Sequence, residues 1–244
     1  GEGVKSFFHA LMPVLDGVPA VRFEVVCVDD GSRDDTLIQL VALAGRDARL
    51  HVIELSRNFG KEAALTAGID SARGDAVIPI DADLQDPPEL IPILIGEWQK
   101  GAEVVLAQRT DRSADSFIKR RTAAWFYRFH NRMSSVKIPE NVGDFRLIDR
   151  IVVDALRQLP ERQRFMKGLF AWVGFKTASV GYTRQARVAG ASKFSGWRLW
   201  NFALEGITSF STAPLKIWTY VGSVGAALTF LYATFIILRT LVHG

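Results

Sequence analysis

Residues 23–32 read FEVVCVDDGS, a short apolar run that ends abruptly in two aspartates and a glycine. Apolar runs of this length are typical of buried strands, and two more follow, at His51–Leu55 (HVIEL) and Ala76–Ile80 (AVIPI). Segments with helical spacing separate the three runs. Strands that alternate with helices in this way predict an α/β domain with a mostly parallel, Rossmann-like sheet.

The remaining pattern extends the same alternation over the first half of the chain. One further strand is expected at Val104–Ala107. The predicted helices are Val4–Leu15, Asp34–Ala44, Lys61–Ala72 and Glu89–Lys100.

Polar residues follow each of the first three strands. Ligands of open α/β sheets bind at the carboxyl ends of the strands, so these residues are expected to line one crevice. Two aspartates at i and i+2 on extended chain point the same way, and Asp81 and Asp83 therefore suit a divalent cation. A pair of this kind is weak evidence alone, because aspartate is also common at turns and helix starts. The strand-end residues are Asp29, Asp30, Arg57, Lys61, Asp81 and Asp83.

Charge is distributed unevenly along the chain. Residues 1–107 hold 9 Lys and Arg against 18 Asp and Glu, whereas residues 108–244 hold 21 against 8, although the overall net charge is only +4. The acidic part suits a cation, and the basic part suits phosphates or an anionic surface. Solvated helix faces explain most individual charges but explain the asymmetry poorly.

The C-terminal end contains 22 residues without a charge, Ile217–Leu238. A helix of that length, at about 1.5 Å per residue, matches the roughly 30 Å hydrocarbon core of a bilayer. Three units are therefore predicted: a large α/β domain over residues 1–192, amphipathic interfacial helices over 193–213, and a transmembrane helix over 214–241. A buried core helix is the alternative for the last unit. The excess of Lys and Arg before the span predicts that the large domain is cytoplasmic.

Several common chemistries are absent from the sequence. The single cysteine, Cys27, excludes an intrachain disulfide and a cysteine zinc site. No glycine-rich dinucleotide fingerprint follows a strand, there is no phosphate-binding P-loop, and the four histidines lack metal-ligand spacing. Nucleic acid is not an expected partner.

A series of ordered motifs carries a resemblance to a known family. Val28–Ser32, Ser56–Lys61 and Asp81–Pro87 resemble family 2 glycosyltransferases of the GT-A fold. The match is closer to the polyprenyl-phosphate branch, which includes dolichyl-phosphate mannose synthases and, most similar of all, bacterial bactoprenol glucosyltransferases. The motifs that extend this resemblance over the whole chain are Asn141–Leu147, Phe165–Gly168, Gly190–Phe194 and Leu204–Ser211.

The resemblance implies roles for the strand-end residues. It implies that Asp29, Asp30, Arg57, Lys61 and Asp81 bind a nucleotide sugar. It also implies that Asp81 and Asp83, with Gln85 nearby, hold Mg²⁺ or Mn²⁺ on the diphosphate of the donor, where the metal stabilises the leaving group. For Gln85, a loop-stabilising amide is an alternative.

The basic part then has a predicted purpose, because a lipid phosphate and a donor diphosphate repel each other unless cations lie between them. Lys193 and Arg187 are favoured, since they flank a Gly-Ala-Ser loop just before the amphipathic segment. The candidates for the acceptor phosphate are Arg109, Arg121, Arg146, Arg184, Arg187 and Lys193.

Three residues are predicted to be catalytic: Asp83, Asp144 and Lys193. In this family, an acidic residue in the region of Asp144 usually serves as the general base when the acceptor is a sugar hydroxyl. A phosphate monoester has a second pKa of about 6, so it needs little help from a base at neutral pH. We therefore expect Asp144 to orient the acceptor phosphate or a neighbouring arginine such as Arg146.

The expected activity is inverting transfer of a hexose to undecaprenyl phosphate at the cytoplasmic face of a bacterial inner membrane. The favoured sugar is glucose, with UDP-glucose as the donor. Mannose, N-acetylglucosamine and aminoarabinose are alternative sugars. A membrane-anchored sugar-nucleotide-binding scaffold with a degenerate site is the alternative class. A homo-oligomer is compatible with the sequence. The family pattern also implies an earlier strand and a second membrane helix, so the sequence is expected to be part of a longer chain.

Overall fold

The computed structural model describes residues 2–110, 141–160, 164, 166–183 and 213–243. The first half alternates as expected. The elements, in chain order, are α1 (Glu2–Asp16), β1 (Val25–Asp29), α2 (Thr36–Ala44), β2 (Leu50–Glu54), α3 (Lys61–Ser71), β3 (Ala76–Val77), a 3₁₀ turn (Pro88–Leu90), α4 (Ile91–Gln99) and β4 (Val104–Arg109).

The second half of the described chain adds two strands and three helices. They are β5 (Val142–Asp149), α5 (Arg150–Arg157), α6 (Met166–Trp172), β6 (Thr177–Tyr182) and the long α7 (Ala213–His243). The α/β class is thus confirmed.

The strands form mixed sheets rather than mostly parallel ones. β1 and β2 pair in parallel, and a second sheet has the order β3-β5-β4-β6. In that sheet β4 and β6 are parallel, but β5 is antiparallel to both of its neighbours. The predicted strand Ala76–Ile80 shortens to two residues. Pro79 has no N–H to donate, so the ladder does not continue through it.

Both faces of the central strands are buried. Along β4, Val105 and Ala107 pack into one apolar cluster, which also takes in α1, α2 and α4. Val104 and Leu106 pack into a second cluster with α5 and α6. This period of two is the signature of a strand covered on each face.

The pairing of β4 with β5 is irregular near the C-terminal end of β4. Leu106 pairs with Arg146, whereas Gln108 pairs with Val142, so the register shifts between them. β5 therefore bulges at the segment that carries Asp144. Bulges of this kind re-aim side chains and are common beside active sites.

Helix α7 stands apart from this core. Leu215–Val242 has a mean hydropathy of 2.0, and none of its most apolar stretch is buried. It is the single helix in the described part of the chain that is long and apolar enough to cross a membrane. Pro214 lies in its first turn, where proline is tolerated. The predicted interfacial segment 193–213 lies outside the described residues except for its last position.

Candidate active site

The loops after β1 and β2 touch each other closely. Gly31 has φ +68°, and a Cβ there would stand 2.6 Å from the backbone nitrogen of Asn58. The Asp30 carboxylate accepts hydrogen bonds from the backbone N–H groups of Phe59 (2.7 Å) and Gly60 (2.9 Å). Two of the three predicted strand-end loops are therefore fastened together.

The two neighbouring aspartates have different surroundings. Both oxygens of Asp30 are used in fastening the loop. Asp29 is only 4% exposed, and its Oδ2 accepts from the backbone N–H of Ser32 at 3.1 Å. Its buried Oδ1 has no hydrogen-bond partner among the described residues. Buried polar atoms are normally paired, so this oxygen suits a donor group from a ligand.

Arg57 lies on the surface of the same loop. Its guanidinium stands 4.0 Å from the centroid of the Phe59 ring and donates to the Asn58 carbonyl oxygen at 3.3 Å. Stacking of this kind is favourable by about 0.5–1 kcal/mol at exposed sites. Arg57 is thereby held on the exposed side of the loop that follows β2.

Lys61 joins the loop after β3 to strand β5. Its Nζ lies 2.7 Å from Oδ2 of Asp81 and 2.7 Å from Oδ2 of Asp144. Burial by itself would lower the pKa of Lys61, but the two carboxylates raise it well above its usual value. The lysine therefore stays charged and bridges two carboxylates that are distant in sequence.

Asp144 is the least exposed member of this bridge, with a side chain 13% exposed. Burial would raise the pKa of its carboxyl, but the positive charges of Lys167, Lys61 and Arg146 outweigh it, and the pKa is lowered. Its Oδ1 is buried without a hydrogen-bond partner among the described residues. Asp144 is thus an ionised carboxylate in contact with Lys61, and a carboxylate with a depressed pKa is a poor proton acceptor at neutral pH.

Arg146 is a buried cation whose charge acts on Asp144. It is 5% exposed, its Nη2 donates to the Gly143 carbonyl oxygen at 2.6 Å, and its guanidinium lies 4.3 Å from the centroid of the Phe170 ring. The positive charge of Arg146 helps to lower the pKa of Asp144. The contact of Arg146 with an acceptor phosphate stays a prediction.

Sequence reasoning missed two residues on the α3 and α6 side of the cluster. The Glu62 Oε2 accepts from the backbone N–H of Met166 at 2.9 Å, which docks α6 on α3. The next residue, Lys167, is partly buried. Desolvation and the like charges of Lys61, Arg146 and Arg109 lower its pKa, although Asp144 opposes them. The motif Phe165–Gly168 was the available signal for this lysine.

Arg109 ends strand β4 beside this cluster. Its Nε donates to the Tyr182 hydroxyl at 3.4 Å, and Tyr182 in turn donates to Oδ1 of Asp86. Nothing in the sequence pattern pointed to Tyr182, and for Asp86 the pattern predicts only a helix entry. Asp86 is 3% exposed and serves as an acceptor inside the fold.

The aspartate pair after β3 can be tested for a divalent cation. Asp83 accepts from the backbone N–H of Gln85 at 3.1 Å, and Leu84 between them has φ +56°. Within the described ranges, no group of three or more His, Cys, Asp and Glu could hold a metal. Mg²⁺ binds through one or two carboxylates with substrate phosphates and water, so the donor set fits an ion shared with a phosphate ligand.

The remaining predicted site residues are not placed by the structure. Arg121, Arg184, Arg187 and Lys193 lie outside the described residues. The described cations close to Asp144 are Lys61, Lys167, Arg146 and, farther along β4, Arg109.

Comparison with known proteins agrees with this architecture. The family model described as "Glycosyl transferase family 2" matches residues 7–157. The chain is 58% identical over 243 residues to the bactoprenol glucosyl transferase of Shigella phage SfV, covering 100% of this chain and 79% of that protein. It is 53% identical, over the same shares, to the prophage bactoprenol glucosyl transferase homolog of Escherichia coli (strain K12).

A solved structure shares the fold at much lower identity. Glucosyl-3-phosphoglycerate synthase from Mycobacterium tuberculosis, in complex with Mn²⁺, UDP-glucose and phosphoglyceric acid, aligns with a TM-score of 0.52 and 18% identity. The alignment covers 84% of this chain and 72% of that one. The strand-end crevice, the family match and the full-length identity agree, and this chain belongs to glycosyl transferase family 2.

Proposed function

We propose that the protein transfers a glucosyl group from UDP-glucose to a polyprenyl phosphate of the undecaprenyl type, with inversion at the anomeric carbon. The observation that carries the proposal is the cluster in which Lys61 bridges Asp81 and Asp144 beside Lys167 and Arg109. The relatives named as bactoprenol glucosyl transferases match this chain from end to end, which supports the glucosyl group and the acceptor.

The donor is proposed to bind at the ends of β1 and β3. The free buried oxygen of Asp29 would accept from a uracil N–H or a ribose hydroxyl. Lys61 would lie against the diphosphate, with Arg57 at the mouth of the same crevice. Asp81 and Asp83 would hold a Mg²⁺ or Mn²⁺ ion, which supplies Lewis-acid stabilisation to the leaving nucleoside diphosphate.

The acceptor is proposed to bind on the other side of Asp144. A phosphate that brings two negative charges needs nearby cations, and Lys167 and Arg109 provide two in a partly buried setting, where Coulomb attraction is stronger than in water. Asp144 offsets part of the positive charge and keeps Lys61 between the two substrates. Arg121, Arg184, Arg187 and Lys193 remain further candidates for this phosphate.

The reaction needs no proton acceptor in this scheme. An oxygen of the phosphate dianion forms a bond to the anomeric carbon while the bond to the UDP oxygen breaks, and the electron pair leaves with UDP. Cations fixed near the leaving oxygens stabilise the charge that builds there. Asp144 acts by orienting Lys61, which agrees with its depressed pKa.

The membrane-facing part is proposed to be α7. Its exposed apolar surface would span the inner membrane, with the catalytic domain on the cytoplasmic side, where nucleotide sugars are made. Positive residues before the span favour this orientation.

The proposal is tested with the full-length protein reconstituted in vesicles. With UDP-glucose, Mg²⁺ and undecaprenyl phosphate we expect UDP release and a glucolipid in equal amounts. GDP-mannose, UDP-N-acetylglucosamine and UDP-aminoarabinose serve as competing donors. Binding of UDP-glucose without any product would instead support a sugar-nucleotide-binding scaffold. Turnover with only one of the other donors would show that the enzyme transfers that sugar and not glucose.

A further inference from the structure

Three side chains form a connected chain of hydrogen bonds from the protein interior to the acceptor side of the site. Asp86, on the loop before the 3₁₀ turn, and Tyr182, the last residue of β6, are both buried. The Tyr182 hydroxyl donates to Asp86 Oδ1 and accepts from Nε of Arg109 at 3.4 Å. Tyr182 and Arg109 are also direct partners in the β4–β6 ladder.

The direction of these hydrogen bonds is fixed by the phenol. Burial and the hydrogen bond to Asp86 raise the pKa of Tyr182 to about 12. The hydroxyl therefore stays protonated at physiological pH and gives its one proton to the carboxylate. Its lone pairs are left to accept from a cation, and Arg109 occupies that position.

The guanidinium of Arg109 lies close to β5 at Gly143. Its Nη2 lies 3.4 Å from the place where a Cβ on Gly143 would stand. The guanidinium therefore lies over the backbone of the bulge that carries Asp144. A Cβ at position 143 would be in van der Waals contact with Arg109.

We propose that Tyr182 and Asp86 are positioning residues that hold the Arg109 guanidinium against Gly143, ready for the phosphate of the lipid acceptor. A free arginine side chain samples many rotamers, and anchoring it before binding reduces the conformational entropy that is lost on binding. Tyr182 engages Nε, while the bidentate contact of arginine with phosphate can use the terminal nitrogens. This inference rests on the proposed function and deepens it.

The test separates acceptor from donor in steady-state kinetics of the full-length enzyme in vesicles. Tyr182→Phe is expected to raise KM for undecaprenyl phosphate by about three- to tenfold, the range of one hydrogen bond, with KM for UDP-glucose and kcat nearly unchanged. Asp86→Asn keeps an acceptor oxygen but loses its charge, so a smaller rise is expected. General damage to the fold would change both KM values or kcat.

Two controls complete the experiment. Trp98→Phe also removes a hydrogen bond to a carboxylate, from Nε1 to Asp149 Oδ2 at 2.6 Å, but far from the site. It should leave both KM values unchanged. In an Arg109→Gln background, Tyr182→Phe should add nothing to KM for the acceptor.

The possible outcomes distinguish the two proposals. If Arg109→Gln raises the acceptor KM but neither Tyr182→Phe nor Asp86→Asn does, the positioning inference is wrong and the proposed function stands. If Arg109→Gln leaves the acceptor KM unchanged, Arg109 does not bind the acceptor and the inference also fails. If no variant and no wild-type protein forms a glucolipid, the proposed function itself is wrong.

Discussion

Asp144 has a combination of properties that separates two possible mechanisms. It is half-buried, ionised and in contact with Lys61, and its pKa is depressed by surrounding cations. A general base must gain a proton during the reaction, and neighbouring positive charge opposes that gain. The same charge pattern suits a carboxylate that keeps a cation in place.

The pH dependence of turnover tests this role. In Asp144→Asn we expect kcat to fall by about 10²-fold, because Lys61 loses one of its two anchors. The rise of activity with pH through about 6 should remain, since it reports ionisation of the acceptor phosphate. Loss of that acidic limb in Asp144→Asn would assign the base to Asp144.

Gly31 is required for the contact between the first two loops. Alanine there combines a left-handed backbone with a Cβ 2.6 Å from the Asn58 nitrogen. Strain at such positions costs about 1–3 kcal/mol, so Gly31→Ala should lower the midpoint of thermal unfolding and weaken UDP binding. Gly96→Ala in α4 is the matched control, because nothing lies within 4 Å of the place where its Cβ would stand. Equal effects of the two substitutions would contradict this account.

At the scale of elements, Asp149 joins three parts of the fold. It ends β5 and caps α5, where its Oδ1 accepts from the backbone N–H of Ile151 at 2.9 Å. Its Oδ2 accepts from the Trp98 indole on α4 at 2.6 Å. One carboxylate therefore fixes the angle between a strand and the helices on both sides of it.

Removal of this carboxylate should be costly. An N-cap contributes about 1 kcal/mol and a lost hydrogen bond to a charged group about 1.5–3 kcal/mol. We expect Asp149→Ala to lower the free energy of unfolding by about 2–3 kcal/mol in urea titration. Asp154→Ala, which removes an exposed carboxylate 3.4 Å from Arg157 on the same helix, should change it by under about 0.5 kcal/mol. A similar loss in both variants would refute the capping argument.

Local sequence patterns predict the elements of the first half well, because short apolar runs and helical spacing there coincide with burial. They do not predict β5, where Asp144 and Arg146 interrupt the apolar pattern and the strand enters the sheet antiparallel. The strand-end rule located Asp81 and Lys61, and the family resemblance located Asp144. The contact of Tyr182 with Asp86 joins residues 96 positions apart, which no local pattern reports.

At the scale of the whole molecule, the charge asymmetry along the chain has a partial structural counterpart. Asp81 from the acidic part and Asp144 from the basic part both contact Lys61, and Asp144 and Arg109 act electrostatically on Lys167. The division is not strict, since Lys61 belongs to the acidic part and Asp144 to the basic one. The site lies at their junction, which explains why the overall net charge of +4 is uninformative.

Helix α7 is long and apolar enough to cross a membrane, and its proposed role as a membrane anchor can be tested. We expect the protein to stay with the membrane fraction after washing with alkaline carbonate, which removes peripheral proteins. A variant ending at residue 212 should be extracted more easily. Equal retention of both proteins would show that α7 is dispensable for membrane association.

If α7 anchors the enzyme in the bilayer, the reaction rate depends on the surface density of the lipid acceptor and not on its concentration in the whole solution. An anchored protein and its lipid acceptor diffuse in one plane, so they meet at a rate set by lipids per unit area and not per litre. Diluting the vesicles in buffer should leave the glucosylation rate per enzyme unchanged at saturating UDP-glucose. Diluting the acceptor with inert phospholipid inside the same bilayer should lower that rate.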